Sequence, residues 1–313
     1  MSSIEASCPL SSADAARVDA LWGDPTAWRA DGLYWVDLPT VQRAINRRVT
    51  GDPGKTPLEW FFEQAGAEHG LPIGRALVLG CGGGWLERHL VVANYVREVV
   101  GVDVSARVIE HAAAAARDAG LANISYRVGD MNRLELDEAP FDIVFGVYAV
   151  HHCAALEALC DAIERLLVPD GWLYLDEYVG PSRFQWTDTQ LHHANLLLDL
   201  LPDDLVRTRG GGPRRNYRRV SSDDIAAHDP SEAVRSAEIP AVVASRFSVL
   251  ARRGYGGALL HLQLAQIAQN FLDAADGARA QCYLDRLIEA EDRLRQAGRL
   301  DDDFMVVVAR RRA

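Results

Sequence analysis

Two histidines side by side, His151 and His152, stand just beyond a seven-residue run, Phe141 to Val147, that is apolar except for its acid at 142. An unperturbed imidazole titrates around 6.5, so either ring could take a proton from an acceptor near neutral pH. Adjacent residues usually face differently, and the pair leaves open which of the two would be the base and which would orient it. A second set follows at Glu177-Tyr178, then Arg183, Gln185 and Trp186 beyond a Gly180-Pro181 turn. Glu177 is the second candidate base, while Tyr178, Arg183 and Gln185 have the donors to hold an acceptor. The competing reading is a loop anchored by its own Arg–Glu pair.

Such residues work only if the backbone delivers them to one crevice. The stretch Arg75 to Leu90 reads as strand, glycine turn and helix: apolar Ala76 to Leu79, glycines at 80, 82, 83 and 84, then Trp85 to Leu90 at helical spacing. Only residues without a Cβ let a ligand come so close to the main chain. A dinucleotide fingerprint would need glycine at 85, where Trp85 stands, and no Lys-Ser or Lys-Thr pair closes a phosphate loop. The spacing therefore suits a compact ligand without phosphates. Apolar runs Val96–Val102, Ile124–Val128, Phe141–Val147 and Trp172–Asp176 predict further strands, with helices over 106–119 and 156–167 between them. Asp103 ends the second strand nineteen residues beyond Gly84, close to the spacing that sets a carboxylate at a ribose diol. Val168 to Gly171 predicts a turn, and the histidine strand, lying beside the first, would open at the switch point where ligands bind.

Gly80-Cys81-Gly82-Gly83-Gly84, the F-D-x-V strand with its His-His pair, and the Val168-Pro169-Asp170-Gly171 turn resemble three motifs of the class I S-adenosylmethionine-dependent methyltransferases of small-molecule type. The resemblance runs from about Gly74 to Tyr178. It implies an α/β, Rossmann-like, seven-stranded and mostly parallel sheet with helices on both faces, plus a helical N-terminal extension and helical cap insertions. The implied cofactor is S-adenosyl-L-methionine, lined by Gly80, Cys81, Gly82, Gly84, Val104 and Val147, with Asp103 on the ribose. Asp130 would take the adenine amine and Met131 would cover a ring face. One departure is plain: the acid that helps hold the methionine part is Val78 here, leaving Glu87 or Arg88 to substitute. The implied activity is methyl transfer to a hydroxyl, or to a nitrogen or carbon nucleophile, of a small molecule such as a sugar or another specialised metabolite. The alternatives are another reaction on the same fold, or a silent cofactor-binding partner of an enzyme.

A net charge of −11 argues against nucleic acid or an anionic membrane as partner. Cysteines at 8, 81, 153, 160 and 282 have no paired spacing, which points to a reducing cytoplasm and to neither disulfides nor a metal site. No secretory pattern opens the sequence, and no apolar run approaches a membrane span. Composition shifts divide the chain into a helical extension over 1–70, a core over 71–180, a cap over 181–245 and the end of the sheet with two helices over 246–313. Trp22, Trp28, Tyr34 and Trp35 either pack the extension onto the core or form a lid. A helix over 186–201, a sixth strand at 247–251 and a seventh at 304–309 complete the reading. Ser222 and Ser231 are candidate caps, and helices over 258–271 and 278–297 could be buried in the cap or against a second copy. Six arginines between Arg207 and Arg219 could receive a phosphate or carboxylate, or form a solvated loop.

Overall fold

The structure is a computed structural model that describes residues 12–26 and 33–312. Ser11, Trp28 and Cys8 lie outside the described residues. Three helices lead in: α1 (Ser12–Trp22), α2 (Pro39–Thr50) and α3 (Pro57–His69). Thr56 and Glu59 form a reciprocal capping box at the start of α3, worth about 1 kcal/mol. The core alternates β1 (Ile73–Leu79), α4 (Trp85–Val92), β2 (Val96–Asp103), α5 (Ala106–Asp118), β3 (Ile124–Val128), β4 (Phe141–Val147), α6 (Leu156–Leu166) and β5 (Leu167–Tyr178). Beyond it come α7 (Asp188–Leu198), α8 (Ser222–His228), α9 (Ile239–Arg246), β6 (Ser248–Gly256), α10 (Leu260–Leu264), α11 (Ala268–Asp273), α12 (Gly277–Gln296) and β7 (Phe304–Arg310).

The strands join in the order β3-β2-β1-β4-β5-β7-β6, the first five parallel and β7 antiparallel to both neighbours. This is the Rossmann-like, seven-stranded sheet implied above. The apolar runs explain it: alternate residues of β1 enter opposite cores, Ala76 and Val78 on one face and Leu77 and Leu79 on the other. A parallel strand covered on both faces has no polar side to alternate with. One core is closed by α6 and α9; the other is thicker and takes in α2, α3, α4, α7, α10 and α12.

Several boundaries differ from the sequence reading. Val168 to Gly171 lies within β5 rather than in a turn before it, with Asp170 left-handed (φ 58°) and Arg310 bonded to its carbonyl. The same strand runs on through Glu177 and Tyr178, because β7 pairs Met305 and Phe304 with them. Ser221, not Ser222, caps α8, and Ser231 caps no helix. The apolar stretch 258–271 breaks into α10 and α11 at Gln266, which is left-handed (φ 63°). Its side chains are buried within this chain itself.

A buried ion pair ties α2 to the C-terminal half of α12, and its carboxylate also holds the N-terminal end of α10. Arg48 of α2 reaches Glu291 (2.7 Å) and Asp292 (2.8 Å), and Glu291 also accepts the Leu259 and Leu260 N–H groups.

Candidate active site

The glycine loop leaves β1 beside β2 and β4. Gly80, Gly82 and Gly84 all have positive φ, and a Cβ on Gly80 would come within 2.5 Å of the Ala149 methyl group. Much of the loop's donor capacity is already committed: Cys81 N–H bonds to Val102 O, Gly82 N–H to Asp103 Oδ2 and Gly84 N–H to Cys81 O. The loop is therefore no anion cradle. Asp103 is itself fixed, since its other oxygen accepts the Ser105 N–H at 3.0 Å. Burial raises its pKa, partly offset by these backbone bonds. Val104 follows it, and Val147 ends β4 on the opposite side of the loop. Asp130 Oδ1 takes both the backbone and side-chain N–H of Asn132, and Asn132 in turn accepts from Ala154 and Ala155. Met131 closes on Gly80 from the β3 side.

The histidines are separated in role by their partners. His151 Nδ1 lies 2.7 Å from Glu177 Oε2, and Glu177 Oε1 accepts the Ala149 and Val150 N–H groups, both at 2.7 Å. Glu177 is thus a fully engaged carboxylate that holds one imidazole and the turn bearing it. Burial pulls the His151 pKa down, but the bond and charge of Glu177 outweigh it and leave the group above its ordinary value. His152 Nδ1 bonds instead to Ser231 Oγ (3.0 Å), which donates to Asp229 Oδ1, and Trp22 Nε1 donates to the other Asp229 oxygen. Burial and the neighbouring His151 lower the His152 pKa.

The segment 229–232 had no signal in local spacing, because it meets the histidines only through the fold. Arg183 builds it: the guanidinium donates to the carbonyls of Asp229, Pro230 and Glu232. Glu232 then stands 3.7 Å from His151 Nε2. His151, His152 and Glu232 each bring one ligand atom within 4.8 Å of the others, a spacing that could hold a metal ion. Tyr178 donates to Pro181 O, and Gln185 to Arg183 O and Val220 O, so these groups brace the segment after β5. Tyr178, Phe184, Phe304 and Trp35 surround His261, whose Nδ1 is buried without a hydrogen-bond partner. Burial, with the charge of His151, lowers the His261 pKa to about 4.

Residues 77–175 match the family model described as "Methyltransferase domain". The chain carries a class I S-adenosylmethionine-dependent methyltransferase domain. It is 30% identical over 133 residues to the uncharacterized methyltransferase YcgJ of Bacillus subtilis (strain 168), covering 42% of this chain and 49% of that one. It is 28% identical over 164 residues to the 27-O-demethylrifamycin SV methyltransferase of Amycolatopsis mediterranei (strain S699), covering 52% and 54%. The chain thus spans about half the length of these relatives. Among solved structures, a putative sarcosine dimethylglycine methyltransferase from Galdieria sulphuraria superposes with a TM-score of 0.49 at 15% identity, covering 80% of this chain and 84% of that one.

The residues of the methyltransferase domain fit its cofactor. A loop with three of its N–H groups already bonded within the protein, beside a pre-oriented Asp103, suits a nucleoside without phosphates. Neither substitute for the missing acid at Val78 reaches the crevice, however. Arg88 bonds the loop's own Gly83 carbonyl. Glu87 is buried against Gly101, both oxygens unpartnered, and burial raises its pKa to about 8.

Outside the motifs, α1 spans the site. Its Asp19 bonds the Ser105 hydroxyl near Asp103, while its Trp22 bonds Asp229 behind His152. Three arginines of the arginine-rich loop bond to residues outside it: Arg214 to Gln266, Arg219 to Trp186 O and Asp188, and Arg215 to Asp203. Among the described residues no helix is long and apolar enough to cross a membrane.

Proposed function

We propose that this chain transfers the methyl group of S-adenosylmethionine to a hydroxyl of a small-molecule acceptor, with His151 as general base. The observation that carries the reading is the His151–Glu177 pair at the ends of β4 and β5. With its Nδ1–H donated to Glu177, the imidazole keeps the Nε2 lone pair for the acceptor proton. S-adenosylmethionine, when bound, supplies an electrophilic methyl on sulfur. His151 would take the proton that the acceptor hydroxyl gives up as it receives the methyl group. Glu177 stabilises the resulting imidazolium and holds its orientation.

Gly80, Cys81, Gly82, Gly84, Val104 and Val147 line the cofactor crevice in this reading, Asp103 receives the ribose, and Asp130 with Met131 flanks the adenine. Arg183 positions the 229–232 segment rather than touching the acceptor. The aromatic group around His261 forms the acceptor wall. Acceptance by oxygen is supported by a relative named for a 27-O-demethyl substrate. His152, tied to Ser231 and depressed in pKa, orients the segment that closes the site.

Titration calorimetry tests the cofactor part. S-adenosylmethionine and S-adenosylhomocysteine should bind with micromolar affinity, NAD should stay silent, and Asp103→Ala should lose most of the affinity. Absence of binding by both nucleosides would sink the reading and leave the glycine loop as architecture.

A further inference from the structure

Val78 occupies the position where the family motif has an acid, and it is buried between Gly101 and Phe145 of the flanking strands. Glu87 and Arg88 are turned away, as described above. A cationic ligand in this crevice therefore needs its electrostatic complement from another element.

Tyr148 lies in the chain next to the residue that meets the glycine loop. It follows Val147 at the end of β4, and the next residue, Ala149, packs directly on Gly80. Its backbone is left-handed (φ 51°), a region that a bulky residue occupies only where its surroundings over-determine it. Those surroundings are visible. The Tyr148 hydroxyl lies 3.1 Å from the Tyr255 hydroxyl, which donates to Asp176 Oδ1 at 2.5 Å. The Phe304 ring meets the Tyr148 ring edge-on, with centroids 6.2 Å apart. The hydroxyl thus points inward while 38% of the residue is exposed. Burial, then the charge of Asp176, pushes the phenol pKa well up, so the side chain stays a neutral phenol whose ring face carries negative charge density. Asp37, on the turn Trp35–Asp37, lies near enough to add its charge to the same place.

We propose that Tyr148 is the residue by which this chain recognises the sulfonium of S-adenosylmethionine, its pinned ring face supplying the attraction that no acid at position 78 provides. An aromatic face attracts a cation within about 6 Å, and a ring already fixed by Tyr255 and Phe304 loses little freedom on binding. The inference rests on the cofactor reading of the glycine crevice. It concerns selectivity for the charged over the uncharged form: S-adenosylhomocysteine has the same nucleoside, ammonium and carboxylate but no sulfonium.

The test is calorimetric titration of both nucleosides into the full chain and into Tyr148→Phe and Tyr148→Asn. Asparagine tolerates the left-handed backbone and removes the ring, while phenylalanine keeps the ring and loses only the hydroxyl. In the Asn variant, S-adenosylmethionine should weaken by about three- to thirty-fold more than S-adenosylhomocysteine. The Phe variant should keep close to the native ratio of the two affinities. An unchanged ratio in the Asn variant, whether both affinities fall together or neither does, overturns the proposal and makes the ring a packing element or an acceptor platform. Should that variant fail to fold by circular dichroism, Tyr148→Leu decides by the same ratio. If the native chain binds neither nucleoside, the cofactor reading itself has failed, an outcome distinct from an unchanged ratio.

Discussion

His151 and His152 are neighbours in sequence and share almost no environment. One faces a carboxylate whose second oxygen is already bonded twice, and the other faces a hydroxyl backed by a carboxylate. Only the first bonds directly to a carboxylate that stabilises its protonated form. His151→Ala should therefore cost about 10²–10⁴-fold in kcat with cofactor affinity retained, while His152→Ala should mainly disturb acceptor KM; single-turnover methyl transfer separates the two. The neutral imidazole is the active form, so the rate should rise with pH through a midpoint above the ordinary 6.5. Glu177→Gln removes the largest influence that raises that pKa and leaves burial opposed only by the charges of Glu232 and Asp229, so the midpoint should move down. A midpoint that stays in place would refute the pairing. The Glu232 contact supplies charge rather than a ligand in this reading, and a chelator should leave turnover unchanged.

At the scale of elements, the site depends on contacts between segments that no motif joins. Arg183, left-handed at φ 54°, spends its guanidinium on three carbonyls of the 229–232 segment. Arg183→Ala should lower kcat/KM while leaving S-adenosylhomocysteine affinity intact, because the damage falls on the acceptor side. The Arg48–Glu291 pair is the matching device beneath α10, where Glu291 satisfies one guanidinium and two backbone donors. Glu291→Ala leaves the buried Arg48 with Asp292 as its remaining carboxylate partner and the Leu259 and Leu260 N–H groups without their acceptor, a loss of about 1–3 kcal/mol. Chemical denaturation should show that loss with little change in m-value. Loss below about 1 kcal/mol would mean that water replaces the carboxylate.

Across the whole molecule, stability should depend on pH in one direction. Burial raises the pKa of Glu87 to about 8, and of Asp176 and Asp303 to about 7. Each binds its proton more tightly folded than unfolded. Their contribution is therefore complete below the ordinary carboxylate range near pH 4 and is lost as pH rises through 7 to 8. His151, also raised, has the same sign, with its contribution complete below 6.5. The melting temperature should accordingly fall between pH 6 and pH 8.5, and Glu87→Gln should flatten the slope. A melting temperature that climbs over this interval would contradict the assignment of buried, protonated acids.

The strand–helix alternation, the glycine loop and the carboxylate closing β2 were all legible in the sequence, because each depends on residues close together in the chain. Apolar runs without alternation can only be covered on both faces, and glycines at alternate positions can only be a turn that a side chain would block. Strand ends were less legible: β5 extends to Tyr178 only because β7, more than a hundred residues later, pairs with it. The partners of the histidines were not legible at all. Ser231 reads as a helix cap and Glu232 carries no mark in the sequence, yet Arg183 gathers their segment beside β4. Tyr148 carried no mark either, since its hydroxyl finds Tyr255 on a strand at the far edge of the sheet. Local spacing therefore determined the class of the fold and the shape of the cofactor crevice. The tertiary structure alone decided which histidine faces a carboxylate, because that choice depends on side chains brought together from distant parts of the chain.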